Sequence, residues 1–243
     1  MTIKKHNNIA QYIAKQISKQ SFSLIRADVL QANVDLTKKD LQHFFESWND
    51  LKVDSYMNDG GRYRYRRYSV FRYEGSQKKL IERQGEPHYQ YKEFNVLNGG
   101  IKRYFEPIKA EIQSSLVFVK IISLCINTFE EISMKTKDWH IEAHQFRIMT
   151  NAQDFGFPTP EGIHRDGVTY VFIMLISRKN IIGGESHLWD DQKQHFFSYF
   201  LENPLDCTFL DDEKLMHSVS AIQPSKDAQE GYRDTLVITF TKL

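Results

Sequence analysis

A run of nine residues in the second half of the chain most constrains its fold. Residues 168–176 (VTYVFIMLI) are almost continuously apolar and rich in β-branched side chains. This length and composition predict a strand that is buried on both faces. Other strand-like segments lie at residues 62–73, 144–150, 186–189 and 235–241. Residues 190–201 are compatible with a helix or with an edge strand.

Three stripes of apolar residues have helical spacing, two of them within residues 1–50 and one near 115–131. The stripes are Ile9, Tyr12, Ile13 and Ile17; Leu41, Phe44, Phe45 and Trp48; and Phe118, Ile122, Cys125, Ile126 and Phe129. Thr37 precedes the second stripe as the expected N-cap, and Asp40 stands where a capping box needs it. Each stripe is expected to pack on a core.

Helices first and many short strands afterwards predict an α+β, mainly β fold, in which a β-sandwich or barrel is flanked by N-terminal and mid-chain helices. A chain of 243 residues that is 41% hydrophobic can bury one substantial core. The sequence has no internal repeat and no Pro/Gly-rich linker. A single domain over 1–243 is therefore expected, with a helical cap at 1–50 and a β core at 51–243.

Charge and cysteine content exclude several classes of protein. The formal net charge of +1 provides no global field for nucleic acid or an anionic membrane. Cys125 and Cys207 are too few for a zinc ribbon or a disulfide scaffold, which favours a reducing cytoplasm. Residues 1–16 lack the continuous apolar region of a signal peptide, and the apolar runs are too short to span a bilayer.

A candidate metal site begins at residues 162–167 (GIHRDG). His164 and Asp166 are two positions apart, so in an extended segment both side chains point to the same side. His217, 53 residues later in an apolar context, is the best third ligand. Two imidazoles and one carboxylate form the facial triad of non-haem Fe(II) oxygenases, with positions left open for an oxoacid and dioxygen.

The HxD motif alone is weak, because a histidine and an aspartate in a surface turn are common. The order of parts strengthens it: a buried strand follows at once, His217 comes later, and Arg233 opens the last strand. A guanidinium can bind the distal carboxylate of a dicarboxylate cofactor through two hydrogen bonds. Thr235 lies on the same strand face and could add another. The alternative is an edge arginine paired with Asp234.

Several segments together resemble a known family. They are HQFR (144–147), IHRDG (163–167), GGESHLWD (183–190), PLDCTFLDDEKLMHSVSAIQP (204–224) and GYRDTLVITF (231–240). Their order and spacing are similar to those of the bacterial 2-oxoglutarate/Fe(II) dioxygenases that include L-isoleucine 4-hydroxylase. The resemblance covers residues 50–243 and is strongest after 140.

This resemblance implies a double-stranded β-helix (jelly-roll, cupin-like) core. It also implies that His164, Asp166 and His217 bind Fe(II) and that Arg233 binds 2-oxoglutarate. The expected reaction is hydroxylation or sulfoxidation of a free, aliphatic L-amino acid by O2, with succinate and CO2 as co-products and ascorbate as reductant in vitro. A small-molecule substrate and a possible homodimer are expected, with no nucleic-acid or membrane partner.

Four residues are candidates for binding such a substrate. His144 and Arg147 lie in HQFR, where one is expected to line the pocket and the other to pack behind it, because their spacing puts them on opposite strand faces. Arg64 and Arg66 would share a face of the strand at 62–73, where an arginine could bind the substrate carboxylate. A solvated strand face with tyrosines packed inward is the alternative.

Three other functions remain open at this level. The same chemistry could act on a peptide or on a carrier-bound amino acid. A cupin-type metalloenzyme that does not use 2-oxoglutarate would have the same barrel. The interleaved arginines and tyrosines of residues 60–73 (GGRYRYRRYSVFRY) also have the composition of a platform for single-stranded nucleic acid.

Overall fold

The computed structural model describes residues 7–133 and 138–243. The helices are α1 (Asn7–Gln20), α2 (Ala27–Asn33), α3 (Lys38–Glu46), α4 (Ala110–Gln113) and α5 (Leu116–Ile132), with a 3-10 helix at Ser47–Asp50. The strands are β1 (Phe22–Ile25), β2 (Lys52–Val53), β3 (Arg64–Glu74), β4 (Lys79–Glu82), β5 (Trp139–Asn151), β6 (Tyr170–Lys179), β7 (Ile181–Gly183), β8 (Ser186–Trp189), β9 (His195–Tyr199), β10 (Cys207–Asp211), β11 (Met216–Val219), β12 (Ile222–Pro224) and β13 (Glu230–Lys242).

An antiparallel sheet of eight strands dominates the described part of the chain. Its order is β1-β10-β6-β13-β5-β3-β2, and β4 pairs with β3. A sheet of three strands, β11-β8-β9, and the pair β12-β7 complete the β structure. The long last strand β13 pairs along its length with both β5 and β6. The predicted fold class, mainly β with flanking helices, is confirmed.

Strand β6 is buried on both faces, as its composition predicted. Phe172, Met174 and Ile176 belong to the core beneath the helices. Val171 and Leu175 belong to a second core, which they share with residues of β8 and β9. Because side chains alternate along a strand, one continuous apolar run supplies both cores. The large sheet is thereby held between a helical layer and a layer of short strands.

The predicted helical stripes pack largely as expected. Every residue of the stripe in α5 is buried, whereas Tyr12 of the first stripe is 53% exposed. In α3 the Thr37 side chain accepts the Asp40 N–H and the Asp40 side chain accepts the Thr37 N–H, so the predicted capping box is present. None of the helices in residues 7–133 and 138–243 combines the length and apolar character that a bilayer crossing requires.

The structure corrects or completes several predicted elements. Residues 1–50 are not wholly helical, because Phe22–Ile25 forms β1 on the edge of the large sheet. Residues 190–201 contain the edge strand β9 rather than a helix. The strand predicted at 144–150 extends to Trp139–Asn151, since its neighbours β3 and β13 pair with it beyond the apolar pattern.

An aromatic cluster joins α5 to the large sheet, and it yields a stability prediction. Phe129 stacks on Tyr170 with ring centroids 4.4 Å apart and lies 4.8 Å from the ring of Phe240. Replacing Phe129 with alanine should lower the free energy of unfolding by about 3–5 kcal/mol, because it leaves a cavity in this cluster. Denaturant titration would measure the loss. Tyr12→Ala is the control, and its effect should stay within about 0.5 kcal/mol; equal effects would contradict the packing role.

Candidate active site

The two predicted histidine ligands are joined through the backbone. His164 and His217 form an antiparallel β-bridge, in which the His164 N–H donates to the His217 carbonyl (3.1 Å) and the His217 N–H to the His164 carbonyl (2.8 Å). Opposed residues in such a bridge carry their side chains on the same face. The two rings accordingly lie with centroids 4.4 Å apart. The segment of His164 to Asp166 and the residues directly after it, called here the HxD segment, therefore pairs with the free edge of β11 in the sheet of three strands.

Asp166 completes a cluster of three potential metal ligands. Its Oδ1 lies 3.6 Å from His164 Nε2 and its Oδ2 lies 3.8 Å from His217 Nε2. One ligand atom from each residue falls within 4.8 Å of the others. His164 Nδ1 is 3.0 Å from the Gly162 carbonyl, so Nδ1 donates its proton there and Nε2 is the nitrogen that faces Asp166 and can ligate a metal once it is deprotonated. This donor set suits a divalent transition metal.

The charge state of the cluster suits metal binding. Burial opposes ionisation of Asp166, but the hydrogen bond from His164 and the charge of His217 outweigh it and hold the pKa of this carboxyl well below its usual range. Burial, together with the charge of His164, lowers the pKa of His217 to about 4. Burial opposes protonation of His164, but the hydrogen bond to Asp166 and the charges of Glu161 and Asp166 outweigh it and raise its pKa to about 9. At neutral pH the site therefore offers an ionised carboxylate and a neutral His217 imidazole, and His164 releases a proton when it ligates a metal.

A buried carboxylate holds the HxD segment in place. Asp212 is 1% exposed, and its side chain accepts the backbone N–H groups of Asp166 (3.1 Å), Gly167 (2.9 Å) and Val168 (3.1 Å). In the sequence, the pair Asp211–Asp212 indicates no more than a turn. Because its partners lie more than forty residues away along the chain, no local sequence signal indicates the role.

A long loop covers the cavity in front of this cluster. Residues 88–103, called here the covering segment, are closed at their ends by a backbone bridge between His88 and Arg103. The Gln90 side-chain amide donates to Asp166 Oδ1 (3.1 Å), and its carbonyl accepts from Arg103 (3.1 Å). Gly167 has φ +80°, and a Cβ there would lie 2.4 Å from the Phe94 ring, so this contact requires glycine. Sequence reasoning missed Gln90.

Arg233 lies in the same cavity, and some of its hydrogen-bond donors have no partner among the described residues. It is 4% exposed, and its Nε and Nη2 have no hydrogen-bond partner among the described residues. Burial lowers its pKa to about 10, so the guanidinium remains charged at neutral pH. Thr235, on the same strand face, also lines the cavity. A buried cation with two unpartnered N–H groups fits the distal carboxylate of a dicarboxylate such as 2-oxoglutarate.

The cavity has a volume of about 240 Å³. Metal-ligand candidates, Arg233 and the inner face of β5 all contribute to its wall. Its size lies at the small end of the range for ligand pockets, which suits small molecules. Apolar side chains complete the wall between the charged groups: Phe94, Phe146, Ile148, Ile173, Val219 and Val237.

HQFR is divided between the two faces of the large sheet. His144 is 3% exposed and lines the cavity. Arg147 faces the opposite side, where it donates to both carboxylate oxygens of Asp234 at 2.8 and 2.7 Å. Arg147 is not among the residues that line the cavity, so of the two candidates in HQFR only His144 faces it. The physical reason is strand alternation, which allows one of the two residues, but not both, to face inward.

Arg64 and Arg66 both point into the protein. They are 6% and 2% exposed and line the cavity. Arg64 Nε donates to Asp54 at 2.8 Å, while Arg66 lies between the rings of Phe105 and Phe146, 3.7 and 4.7 Å from their centroids. The alternative of a solvated arginine face is therefore wrong. A nucleic-acid platform is wrong for the same reason, because these cations are inaccessible to a phosphate backbone.

Comparison with known proteins gives consistent results. A family model described as 2OG-Fe dioxygenase matches residues 45–239. The L-isoleucine-4-hydroxylase of Bacillus thuringiensis is 27% identical over 85% of this chain and 82% of its own length. The 3(1)-hydroxy-L-isoleucine 4-dioxygenase of Pantoea ananatis (strain AJ13355) is 22% identical over 94% and 95%.

A solved structure agrees with these matches. A bsmA homologue from Methylobium petroleophilum PM1 superimposes with a TM-score of 0.87 at 29% identity, covering 96% of this chain and 92% of that one. The implied double-stranded β-helix fold is thereby confirmed. Since the family model spans most of the sequence, the chain belongs to the 2OG-Fe dioxygenase family and is a 2-oxoglutarate-dependent oxygenase that uses Fe(II).

Proposed function

We propose that this chain hydroxylates a free aliphatic L-amino acid, with O2 and 2-oxoglutarate consumed and succinate and CO2 released. One observation carries the proposal: a cluster of two histidines and an aspartate shares a small cavity with a buried arginine that has two unpartnered N–H groups. The two relatives, an L-isoleucine-4-hydroxylase and a 3(1)-hydroxy-L-isoleucine 4-dioxygenase, support an aliphatic amino acid as the substrate.

In this proposal His164, Asp166 and His217 bind Fe(II). Three ligands on one side of the ion leave adjacent positions for a chelating oxoacid and for dioxygen. When bound, the iron supplies O2 activation coupled to the oxidative decarboxylation of 2-oxoglutarate. The protein holds the ligands in fixed positions: the β-bridge sets the two histidines, and Asp212 and Gln90 set the aspartate.

Arg233 would bind the distal carboxylate of 2-oxoglutarate, with Thr235 as a further hydrogen-bond donor. A buried guanidinium without partners is costly, so a bound anion would stabilise it. Gly184 stands beside Arg233, where a Cβ would come within 3.3 Å of Arg233 Cδ. The absence of a side chain at Gly184 therefore leaves room for the arginine in this position.

The amino acid would lie between the metal site and the inner face of β5. Apolar walls from Phe146, Ile148 and Val237 suit an aliphatic side chain. His144 and Arg66 supply polar contacts, while Arg64 is neutralised by Asp54. The covering segment limits access of water to this space, which strengthens electrostatic contacts inside.

The first test is a panel of free L-amino acids with Fe(II), 2-oxoglutarate and ascorbate, in which mass spectrometry detects the gain of one oxygen and succinate is quantified. An aliphatic amino acid should be converted with succinate in equal amount. Including methionine separates sulfoxidation from hydroxylation. Asp166→Ala should abolish both products because it removes the carboxylate ligand. Succinate formation without any oxygenated amino acid would contradict the proposed substrate class.

Replacing Arg233 tests the 2-oxoglutarate site. Arg233→Met should raise KM for 2-oxoglutarate by about 30-fold or more, because a buried carboxylate loses its charged partner. KM for the amino acid should change far less. Arg72→Met, at a solvent-exposed position on β3, is the control. An unchanged KM for 2-oxoglutarate in Arg233→Met would assign the carboxylate to another residue.

Replacing Asp212 tests the support of the metal site. Asp212→Asn replaces one of the two oxygens that accept the three backbone N–H groups with an NH2 donor, so the HxD segment should lose its fixed position and Fe(II) affinity should fall by about 10- to 100-fold. Metal titration of the purified protein measures this directly. Glu213→Gln, at the adjacent exposed residue, should bind Fe(II) as the parent chain does. Equal affinities in the two variants would refute the role of Asp212.

A further inference from the structure

Arg233 is assigned above to 2-oxoglutarate, and Arg64 Nη2 lies 2.8 Å from Asp54 Oδ2. Apart from these two arginines, three charged side chains that line the cavity have buried atoms without partners, and they carry both signs of charge. They are Oε2 of Glu161, Nε of Arg66 and Nε of Arg103, and none has a hydrogen-bond partner among the residues described. All three residues line the cavity. Unpartnered charged atoms are costly in a buried site, so their presence indicates a ligand that supplies both a cation and an anion.

Glu161 lies beside the metal cluster without belonging to it. Its Oε1 is 3.3 Å from His164 Nε2, and its side chain is 9% exposed. The ligand atoms that could share one ion come from His164, Asp166 and His217, and Glu161 is outside that group. Its second oxygen is therefore free to accept a donor from a molecule bound next to the metal.

Both arginines are fixed in position by other contacts, which leaves Nε as the open donor. Arg66 donates to His144 Nδ1 through Nη2 (2.6 Å) and contacts Asp54 through Nη1 (3.4 Å). Arg103 is 1% exposed and donates to Gln90 through Nη2 (3.1 Å). Such preorganised guanidinium groups suit a carboxylate.

The pKa of Arg103 reflects nearby charges of both signs. Burial and the neighbouring Arg64 lower the pKa of Arg103, while the carboxylates of Asp54, Glu161 and Glu142 act against this lowering. The carboxylate of Glu161 is therefore near enough to Arg103 to raise the pKa of its guanidinium.

Glu142, the other carboxylate in the cavity wall, is already satisfied. Its Oε1 accepts from the Tyr68 hydroxyl at 2.8 Å and lies 3.4 Å from His140 Nε2. Its Oε2 accepts from His88 Nδ1 at 2.8 Å and lies 3.7 Å from His144 Nε2. With donors on both oxygens, Glu142 has no free site for an ammonium group. Glu142 instead orients His144, whose Nδ1 accepts the hydrogen bond from Arg66.

The charges around the cavity balance only for a ligand that is neutral overall. Counting histidines as neutral, four arginines line the cavity, at 64, 66, 103 and 233, with three acids, at 142, 161 and 166. Asp54, which does not line the cavity, pairs with Arg64 and makes the two numbers equal. Fe(II) and the 2-oxoglutarate dianion add equal and opposite charge. A net anion or net cation as the remaining ligand would leave a buried charge uncompensated, which is unfavourable. A zwitterion satisfies both the charge count and the unpartnered atoms.

We propose that the substrate binds as a zwitterion, with Glu161 accepting its α-ammonium group and the Nε groups of Arg103 and Arg66 donating to its α-carboxylate. The proposal rests on the proposed function and deepens it. It requires a free α-amino acid, and it excludes substrates whose amine or carboxyl is part of a peptide, amide or thioester bond. Glu161 and Arg103 become the residues that determine this specificity.

Ligand binding to the Fe(II)/2-oxoglutarate enzyme without oxygen tests the proposal. Calorimetry would compare L-leucine with N-acetyl-L-leucine, L-leucinamide and the 2-hydroxy acid analogue of leucine; the same set based on isoleucine or methionine covers a different side-chain preference. Each derivative lacks one main-chain charge, so each should bind about 30-fold or more weakly than the free amino acid. Equal binding of the N-acetyl derivative would overturn the proposal.

Variants assign each charge to a residue. Glu161→Gln should weaken amino-acid binding by about 30-fold or more yet leave the 2-hydroxy acid almost unaffected, so discrimination between the two collapses. Arg103→Lys should likewise reduce discrimination between the amino acid and its amide. Glu93→Gln, at an exposed position on the covering segment, is the matched control. Glu93→Gln should match the parent chain in iron content, 2-oxoglutarate affinity and amino-acid discrimination, and the two site variants are compared with it at equal iron loading.

The outcomes separate this proposal from the function on which it rests. If Glu161→Gln keeps the parent discrimination, or if only peptide or carrier-bound amino acids are oxidised with succinate release, the zwitterion site is refuted and the dioxygenase chemistry stands. If no amino acid of any form yields an oxygenated product, the proposed function fails. Even then, selective binding of the free amino acid that Glu161→Gln abolishes would support the zwitterion site.

Discussion

The backbone bridge between His164 and His217 is the contact on which the site depends. Two hydrogen bonds, of 2.8 and 3.1 Å, bring together residues 53 positions apart and turn both rings to one side. The intervening chain supplies β6 to β10, so the bridge forms only when the sheets have assembled. Asp212, near the end of that stretch, then binds three N–H groups of the HxD segment. The positions of the candidate metal ligands therefore depend on the whole β fold.

The large sheet carries opposite chemistry on its two faces. One face of β5 presents Trp139, Ile141 and Ala143 to the helices in an apolar core. The other presents alternating polar groups to the cavity, including Glu142 and His144. Burying so many charges is unfavourable by itself. The apolar core offsets this cost, while dense hydrogen bonding and, in our proposal, three bound ligands satisfy the charged groups.

Sequence reasoning found the parts whose signal is local. The capping box at Thr37 is contained in four residues, the double burial of β6 in one apolar run, and the shared direction of His164 and Asp166 in strand periodicity. It failed where function depends on distant placement. Arg103 and Glu161 have no motif, and their role follows only from unpartnered atoms in a folded cavity. Strand periodicity placed His144 and Arg147 on opposite faces, but it could not tell which of the two faces the cavity.

The covering segment joins the two halves of the site. The Gln90 side chain donates to Asp166 at one end and accepts from Arg103 at the other. Asp166, a candidate metal ligand, and Arg103, a proposed substrate-binding residue, therefore both hydrogen-bond to the side-chain amide of Gln90. Phe94, in the same segment, packs against Gly167 of the HxD segment. Displacement of the segment would consequently disturb the substrate carboxylate site and the metal site together, so neither can be considered complete without residues 88–103.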